Sequence, residues 1–347
     1  MATILGFGRK HLAAGLAACA LLVLAAGTAL AAQPLQIRIA WTTVPGQLTP
    51  ILFGPYAQKH LLHDYGKAYV VTHEHFTGSG PMITALAAGQ IDISQLAPSS
   101  FGFAIENARL DNVKVITDGY QDGVDNHFSS VFLVRKGSGI RNVEDLKGKV
   151  VAVNAFGGAL DIAARAMLLK HHLVANQDYS IVEGAFPNLG AMLEQHKADM
   201  IGLVLPFSEV LQKRGNVRVL FRMKDVFGQT QMLFNVARAS FLKKNHAALQ
   251  HFFDDYVRAQ RWILNPANRE KAVELVAQFT KRPTSVFSPY LFTPKDTYRN
   301  PDARPNLAAL QRNMNQLKQL SILKATIDVK RYSDLSFIDA AVAKLKK

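Results

Sequence analysis

The sequence predicts an α/β protein of two similar lobes, each a mostly parallel sheet flanked by helices, on three observations. A strand, a glycine turn and a helix follow one another twice. The first time, the β-branched run Tyr69, Val70, Val71 leads through Thr77-Gly78-Ser79-Gly80-Pro81 to Met82, Ile83, Leu86 and Ala87 at helical spacing; the second time, residues 150–154 lead through Ala155-Phe156-Gly157-Gly158 to residues 159–169. Next, Ala85-Leu86-Ala87-Ala88-Gly89-Gln90-Ile91-Asp92-Ile93 is echoed by Met192-Leu193-Glu194-Gln195-His196-Lys197-Ala198-Asp199-Met200. Each copy ends a helix, turns, sets an Asp in a short apolar strand, and soon reaches proline and serine. Finally, strands alternate with helices throughout, the rhythm of a helix-covered parallel sheet.

Taken in order, residues 35–41 put Leu35, Ile37, Ile39 and Trp41 on one side, the pattern of a half-buried strand. Thr42-Thr43-Val44-Pro45-Gly46 is a turn, and Pro50 suits the first turn of a helix reaching residue 65. The strand 69–76 and its glycine turn come next, and Gly89 stands where that helix would stop. Ile91-Asp92-Ile93 is a short buried strand that ends at Ala97-Pro98-Ser99-Ser100, before a helix over 101–108 and a strand over 113–117. The polar stretch 119–126 reads as a crossing between lobes and 128–135 as a strand. An amphipathic turn, 140–149, leads into the second strand–turn–helix unit. After the echo and Pro206-Phe207-Ser208, residues 231–236 are expected to form the return crossing. Helices follow over 242–263, 269–279, 306–320 and 335–344. Between them, residues 282–305 hold five prolines with Phe287, Tyr290, Phe292 and Tyr298, a loop long enough to be a lid, a binding loop or packed surface.

The N-terminus is read as an export signal. Arg9-Lys10-His11 precedes the apolar run 12–26, and Ala29-Leu30-Ala31 offers a cleavage site, so residues 1–31 are expected to be removed near Ala31. An uncleaved anchor would need about 20 apolar residues. Leu16-Ala17-Ala18-Cys19 resembles a lipobox, but cleavage there would leave an apolar mature terminus where a polar tether is expected. Cys19 is the only cysteine, so the mature chain has no disulfide, thiolate nucleophile or Cys-based zinc site. The 347-residue chain carries a formal charge of +14, or +12 without Arg9 and Lys10. The basic residues are scattered with no run interleaved with aromatics, so no nucleic-acid partner is expected, while an anionic ligand is compatible.

Both polar turns of each unit lie at carboxyl ends of strands and amino ends of helices, the edge where open α/β sheets bind ligands. Unpaired N–H groups and the positive dipole end there favour an anion.

Together these segments resemble the periplasmic solute-binding proteins of ABC importers, in the nitrate/sulfonate/taurine group that also includes pyrimidine-precursor binders. The likeness rests on Gly78-Ser79-Gly80 with Met82 and the segment Ala85 to Asp92. Val143-Glu144-Asp145-Leu146-Lys147-Gly148-Lys149, Phe156-Gly157-Gly158 and Ala198-Asp199 extend it, although His196 replaces a more usual small residue. It covers about 35–262; beyond that the chain matches only as helices. The resemblance implies the type II periplasmic binding fold, with a ligand cleft between a discontinuous first lobe (32–123 plus 239–347) and a second lobe (124–238). It implies a monomer, without cofactor or metal, that captures a small anionic or zwitterionic organic solute and delivers it to an ABC permease in the inner membrane. The candidate ligand residues are Trp41, Thr42, Thr43, Gly78, Ser79, Gly80, Pro98, Ser99 and Ser100 on one side. Asn154, Phe156, Gly157, Gly158, Phe186, Asn188 and Phe207 face them. Helix starts contribute about 0.3–1 kcal/mol each to an anion, up to ~2 when partly buried, so micromolar affinity (about −8 kcal/mol) needs no Arg in the cleft.

Other roles for these residues stay open. Asp92 and Asp199 read as structural, Ser99 and Ser100 also suit a helix cap, and Trp41 is core or ligand wall. Glu74, Glu183 and Glu209 are candidates for a ligand amine. His73 and His75 share one strand face, a metal spacing with His60 and His63 nearby, but nothing completes a ligand set. No H-E-x-x-H, G-x-S-x-G, P-loop or G-x-G-x-x-G occurs, so no catalytic activity is expected. A sensory receptor of the same fold, or a binder of a neutral pyrimidine or thiamine precursor, would present the same sequence features.

Overall fold

A computed structural model describes residues 33–108, 110–125 and 127–346. The leader, with its cleavage site and Cys19, lies outside the described residues. The chain from Leu35 onward builds two five-stranded sheets with helices against them.

The first sheet begins with β1 (Leu35–Trp41), whose Ile37 and Ile39 are fully buried. Two short helices, α1 (Thr49–Leu52) and α2 (Pro55–His60), follow in place of one helix over 50–65. Gly54 and Pro55 divide them, because the Pro55 ring has no N–H to continue the helical ladder. Then come β2 (Tyr69–His75), α3 (Ser79–Ala87), β3 (Ile93–Leu96), α4 (Pro98–Glu106) and β4 (Val113–Asp122). α4 starts at the proline, earlier than expected, and β4 runs through much of the expected crossing.

The second sheet holds β5 (Ser130–Arg135), β6 (Val150–Val153), α5 (Ala159–Lys170), β7 (Ser180–Glu183), α6 (Phe186–Glu194), β8 (Met200–Val204), α7 (Phe207–Lys213) and β9 (Val217–Arg222). After α8 (Met223–Phe227) the chain returns through β10 (Thr230–Arg238) to the first sheet. The helices α9 (Ala239–Lys244), α10 (His246–Leu264), α11 (Arg269–Thr280), α12 (Leu307–Gln319) and α13 (Ser336–Lys344) complete it. One helix was expected over 242–263; the backbone instead breaks at Asn245, between α9 and α10.

Sheet orders are β2-β1-β3-β10-β4 and β7-β6-β8-β5-β9, the same pattern written twice. The helix-connected strands pair in parallel, as expected: β1 with β2 and β3, β6 with β7 and β8. The strand that enters each sheet directly from the other, β10 or β5, pairs antiparallel on both sides, so each sheet is mixed. A parallel pair needs a crossover connection, and these two strands arrive without one from their own sheet. The expected return crossing is therefore a central strand of the first sheet, and a second-lobe boundary at 238 places β10 on the wrong side.

The two Asp-bearing segments do the same structural work. The Asp92 carboxylate accepts the backbone N–H of Arg38 (2.9 Å) and is gripped by its guanidinium (2.8 and 2.9 Å), while the Asp92 N–H donates to the Arg38 carbonyl (2.9 Å). In the second sheet, Asp199 accepts the N–H of Val150 (3.0 Å) and donates its own to the Val150 carbonyl (2.7 Å), with Arg135 at 3.2 Å. Each Asp staples the approach to one sheet onto its neighbouring strand, so neither is a ligand group.

Candidate functional site

An inner cavity of about 80 Å³ lies between the sheets. The β1–α1 turn brings Thr42, Thr43 and buried Gln47, whose Oε1 accepts the Thr42 N–H and fixes the turn. Gly78 and Ser79 start α3, Gly158 and Ala159 start α5, and Phe186 starts α6; all reach this cavity. None of these three helices has a side chain capping its first turn. The three helix starts border one space, and their positive dipole ends give it an electrostatic preference for negative charge.

Among the cavity-wall side chains that were not singled out from the sequence, two carry an unpaired polar atom. Gln95, on β3, is 3% exposed; its amide N–H donates to Asn235 Oδ1 at 3.4 Å, and its Oε1 has no partner in the protein. Asn235 is itself oriented by donating to Thr117 Oγ1 (2.6 Å) and Tyr256 Oη (3.1 Å), and this fixes which end of Gln95 is the free acceptor. Arg299 comes from the proline-rich loop and is 5% exposed. Its guanidinium donates to Asp296 Oδ2 (2.8 Å) and the Pro45 carbonyl (2.8 Å), leaving Nε–H without a protein partner. Asp296 is occupied within its own loop, accepting the N–H groups of Phe292 (3.0 Å) and Thr297 (2.7 Å). A buried polar atom left unpaired costs about 1–3 kcal/mol, so Gln95 and Arg299 are the wall residues with hydrogen-bonding capacity unspent within the protein. Among the signals available, only the length and composition of the loop pointed to Arg299; nothing local distinguished Gln95.

A larger outer groove of about 840 Å³ adjoins the cavity and shares Thr42, Thr43, Gly78, Asn154 and Phe186 with it. Trp41, Gly80, Phe156 and Phe207 line this groove, with Phe279, Arg282 and Glu183. Trp41 stands edge-on to His75 (4.6 Å) and Phe279 (5.4 Å), so it is a wall residue tied to the core rather than buried inside it.

Five expected site residues are not brought to either space. Ser99 and Ser100 neither cap a helix nor face the cavity; their hydroxyls donate to the Gly157 carbonyl at 3.3 and 3.4 Å, across from the first sheet's helix α4 to the turn before α5. Pro98 sits with Ser99 beside a small apolar space of about 20 Å³. Gly157 is held in that bridge with φ of 70°, a left-handed conformation that suits glycine. Asn188 is exposed in the first turn of α6, its N–H spent on the Ala185 carbonyl. Among the candidate amine ligands, Glu183 lines the groove and accepts the Phe156 N–H, while Glu209 pairs with Lys213 at 3.4 Å. His75 Nε2 contacts the Thr42 carbonyl at 3.0 Å, and burial pushes the His73 imidazole toward its neutral form. Among the described residues, no three potential metal ligands gather around either.

With this geometry in place, residues 75–269 match the family model described as NMT1/THI5 like. The chain belongs to the NMT1/THI5-like family. The Bacillus subtilis (strain 168) protein YtlA is 22% identical over 128 residues, 37% of this chain and 38% of YtlA, so the match spans well under half of that relative. The periplasmic aliphatic sulphonate binding protein SsuA from Escherichia coli superposes with a TM-score of 0.64 at 21% identity, over 86% of this chain and 97% of that one. The periplasmic nitrate-binding protein NrtA from Synechocystis PCC 6803 does so with 0.69 at 14% identity, over 90% and 89%. The desulfurization enzyme DszB shares the architecture as well, with 0.63 at 14% identity over 90% and 99%. At these identities the likeness to solved structures is one of fold, and the fold of this NMT1/THI5-like chain is the two-lobed one expected from the sequence. Chemistry by a thiol is closed to residues 33–347, which contain no cysteine.

Proposed function

We propose that the protein is the extracytoplasmic solute-binding subunit of an ABC importer, capturing a small anionic or zwitterionic organic solute between its lobes and passing it to an inner-membrane permease. The observation that carries this reading is the convergence of three uncapped helix starts on one cavity that also holds Thr42, Thr43, Ser79 and Arg299. Hydrogen bonds to a charged group contribute about 1.5–3 kcal/mol each, and helix starts add up to ~2 kcal/mol in partly buried geometry. The free acceptor on Gln95 suits an ammonium or N–H on the same solute, so an aminosulfonate fits as well as a simple anion. Removal of the leader near Ala31, residence in the periplasm and action as a monomer complete the proposal.

The test is ligand-dependent thermal stability of the chain lacking residues 1–31 against sulfonates, taurine, nitrate, aromatic acids and pyrimidines. A solute present at 100 times its Kd raises stability by about 2.7 kcal/mol. A melting curve that stays put with every member of the panel would remove the proposal.

A further inference from the structure

The inner cavity and the outer groove differ in size and chemistry in a way that specifies the solute. At about 80 Å³ the cavity has room for about five to eight water-sized units. That takes a sulfonate or carboxylate group with a short stem, not an aromatic ring as well. The adjoining groove, at about 840 Å³, lies within the roughly 300–1,000 Å³ range of sites that enclose drug-sized organic molecules.

Its walls are aromatic on both sides. Phe186 and Phe207 of the second lobe stack with centroids 5.8 Å apart at 13°, and Phe156 stands beside them 50% exposed. From the first lobe come Trp41, Phe76 and Phe279, the last 41% exposed. Among the described residues the exposed large hydrophobics are four, and two of them meet in this one groove, where exposure to water is unfavourable unless something covers them. Arg282 adds a cation at the rim, its guanidinium 5.3 Å from the Phe207 ring centroid. Glu183 is the carboxylate there, and its Oε1 is already bonded to the Phe156 N–H, which sets the position of that aromatic.

We infer that the solute is an aromatic acid, with its anionic head in the inner cavity and its flat ring in the outer groove between the Phe156–Phe186–Phe207 wall and the Trp41–Phe279 wall. This rests on the solute-capture reading and narrows it. The continuity of the two spaces through Thr42, Thr43, Gly78, Asn154 and Phe186 lets one rigid molecule occupy both. An aliphatic or inorganic anion would satisfy the head site and leave the aromatic walls uncovered.

Calorimetric titration of the chain lacking residues 1–31 with ethanesulfonate, benzenesulfonate and naphthalene-2-sulfonate tests it. The two aromatic probes should bind roughly tenfold or more tighter than ethanesulfonate, the value of burying one ring. Phe156→Ala and Phe279→Ala, both at exposed positions that do not threaten folding, should weaken benzenesulfonate by roughly fivefold more than they weaken ethanesulfonate. Equal affinity for all three sulfonates, or equal losses in the variants, would overturn the aromatic assignment and leave solute capture standing. Binding of none of them would overturn the aromatic assignment, and solute capture falls with it only if the wider panel also leaves the melting curve unmoved.

Discussion

Ser99, in the first turn of α4, donates its hydroxyl to the Gly157 carbonyl 3.3 Å away, and this bond joins the two lobes. Ser100 reaches the same oxygen at 3.4 Å. Both serines are almost fully buried, so their hydroxyls are spent on this contact between the lobes rather than left for a ligand. Replacing both (Ser99→Ala with Ser100→Ala) leaves the Gly157 carbonyl unpaired in the closed form. At about 0.5–1.5 kcal/mol per bond, ligand affinity should fall by roughly tenfold while the ligand-free melting temperature moves little. Titration calorimetry alongside a ligand-free melt reads both; an unchanged affinity would show that the bridge does not contribute to closure.

Gly78 offers a steric version of the same test. A Cβ placed there would lie 2.7 Å from the Ala155 Cβ of the other lobe, closer than such atoms approach. Its φ of −176° is extended and open to any residue, so the effect of a side chain is one of contact between lobes and not of backbone strain. Gly78→Ala should fold normally, fail to close fully, and bind at least tenfold more weakly. Small-angle scattering with and without ligand would show it, since the variant should not contract on ligand addition.

How far the sequence revealed this arrangement depends on which forces were local. Strand alternation, glycine turns and the Asp92 and Asp199 echo are written in neighbouring residues, so both sheets and their helices were legible, and the Asp pair was readable as structural. The antiparallel placement of β5 and β10 was not, because strand direction in a sheet depends on where the chain comes from rather than on periodicity. Of the residues lining the candidate site, Thr42, Thr43, Ser79, Asn154 and Phe186 stand at strand ends and helix starts, a local pattern visible in the sequence. Ser99 and Ser100 have the same local signature, yet the packing of the lobes sets them against Gly157. Arg299 reaches the cavity from a loop 254 residues beyond Pro45, whose carbonyl it bonds, and only tertiary folding brings it there.

Arg299 has two roles that can be separated. Its buried pair with Asp296 means that Arg299→Gln alone strands a carboxylate, at about 3–5 kcal/mol. The double variant Asp296→Asn with Arg299→Gln removes that stranded charge and should recover most of the lost stability. Anion binding should stay weakened by roughly tenfold in the double variant. Recovery of both stability and affinity would make Arg299 purely structural.

Asp118, fully buried on β4, has its carboxyl pushed up to about 7 by burial, opposed by the N–H of Asn300, by Gln231 and by Arg299. The unfolded carboxyl ionises near pH 4, so between about pH 4 and 7 the folded state holds the extra proton. Stability should therefore decline as pH rises through that window. Melting temperatures from pH 4.5 to 7.5 should show this decline, and Asp118→Asn should flatten it. A variant slope as steep as the original would place the proton elsewhere, with Asp122, pushed up to about 6 by burial, the next group to replace.

The most direct measurement is calorimetric titration of a single small anion, benzenesulfonate, into the chain lacking residues 1–31, repeated with Thr43→Val. Thr43 lines both the cavity and the groove, and valine keeps its shape while removing the hydroxyl. Saturable one-to-one binding that weakens by about tenfold in the variant, the equivalent of one hydrogen bond to a charge, is the result expected of an anion held in the cavity between the lobes. No heat of binding, or binding indifferent to Thr43, would contradict it.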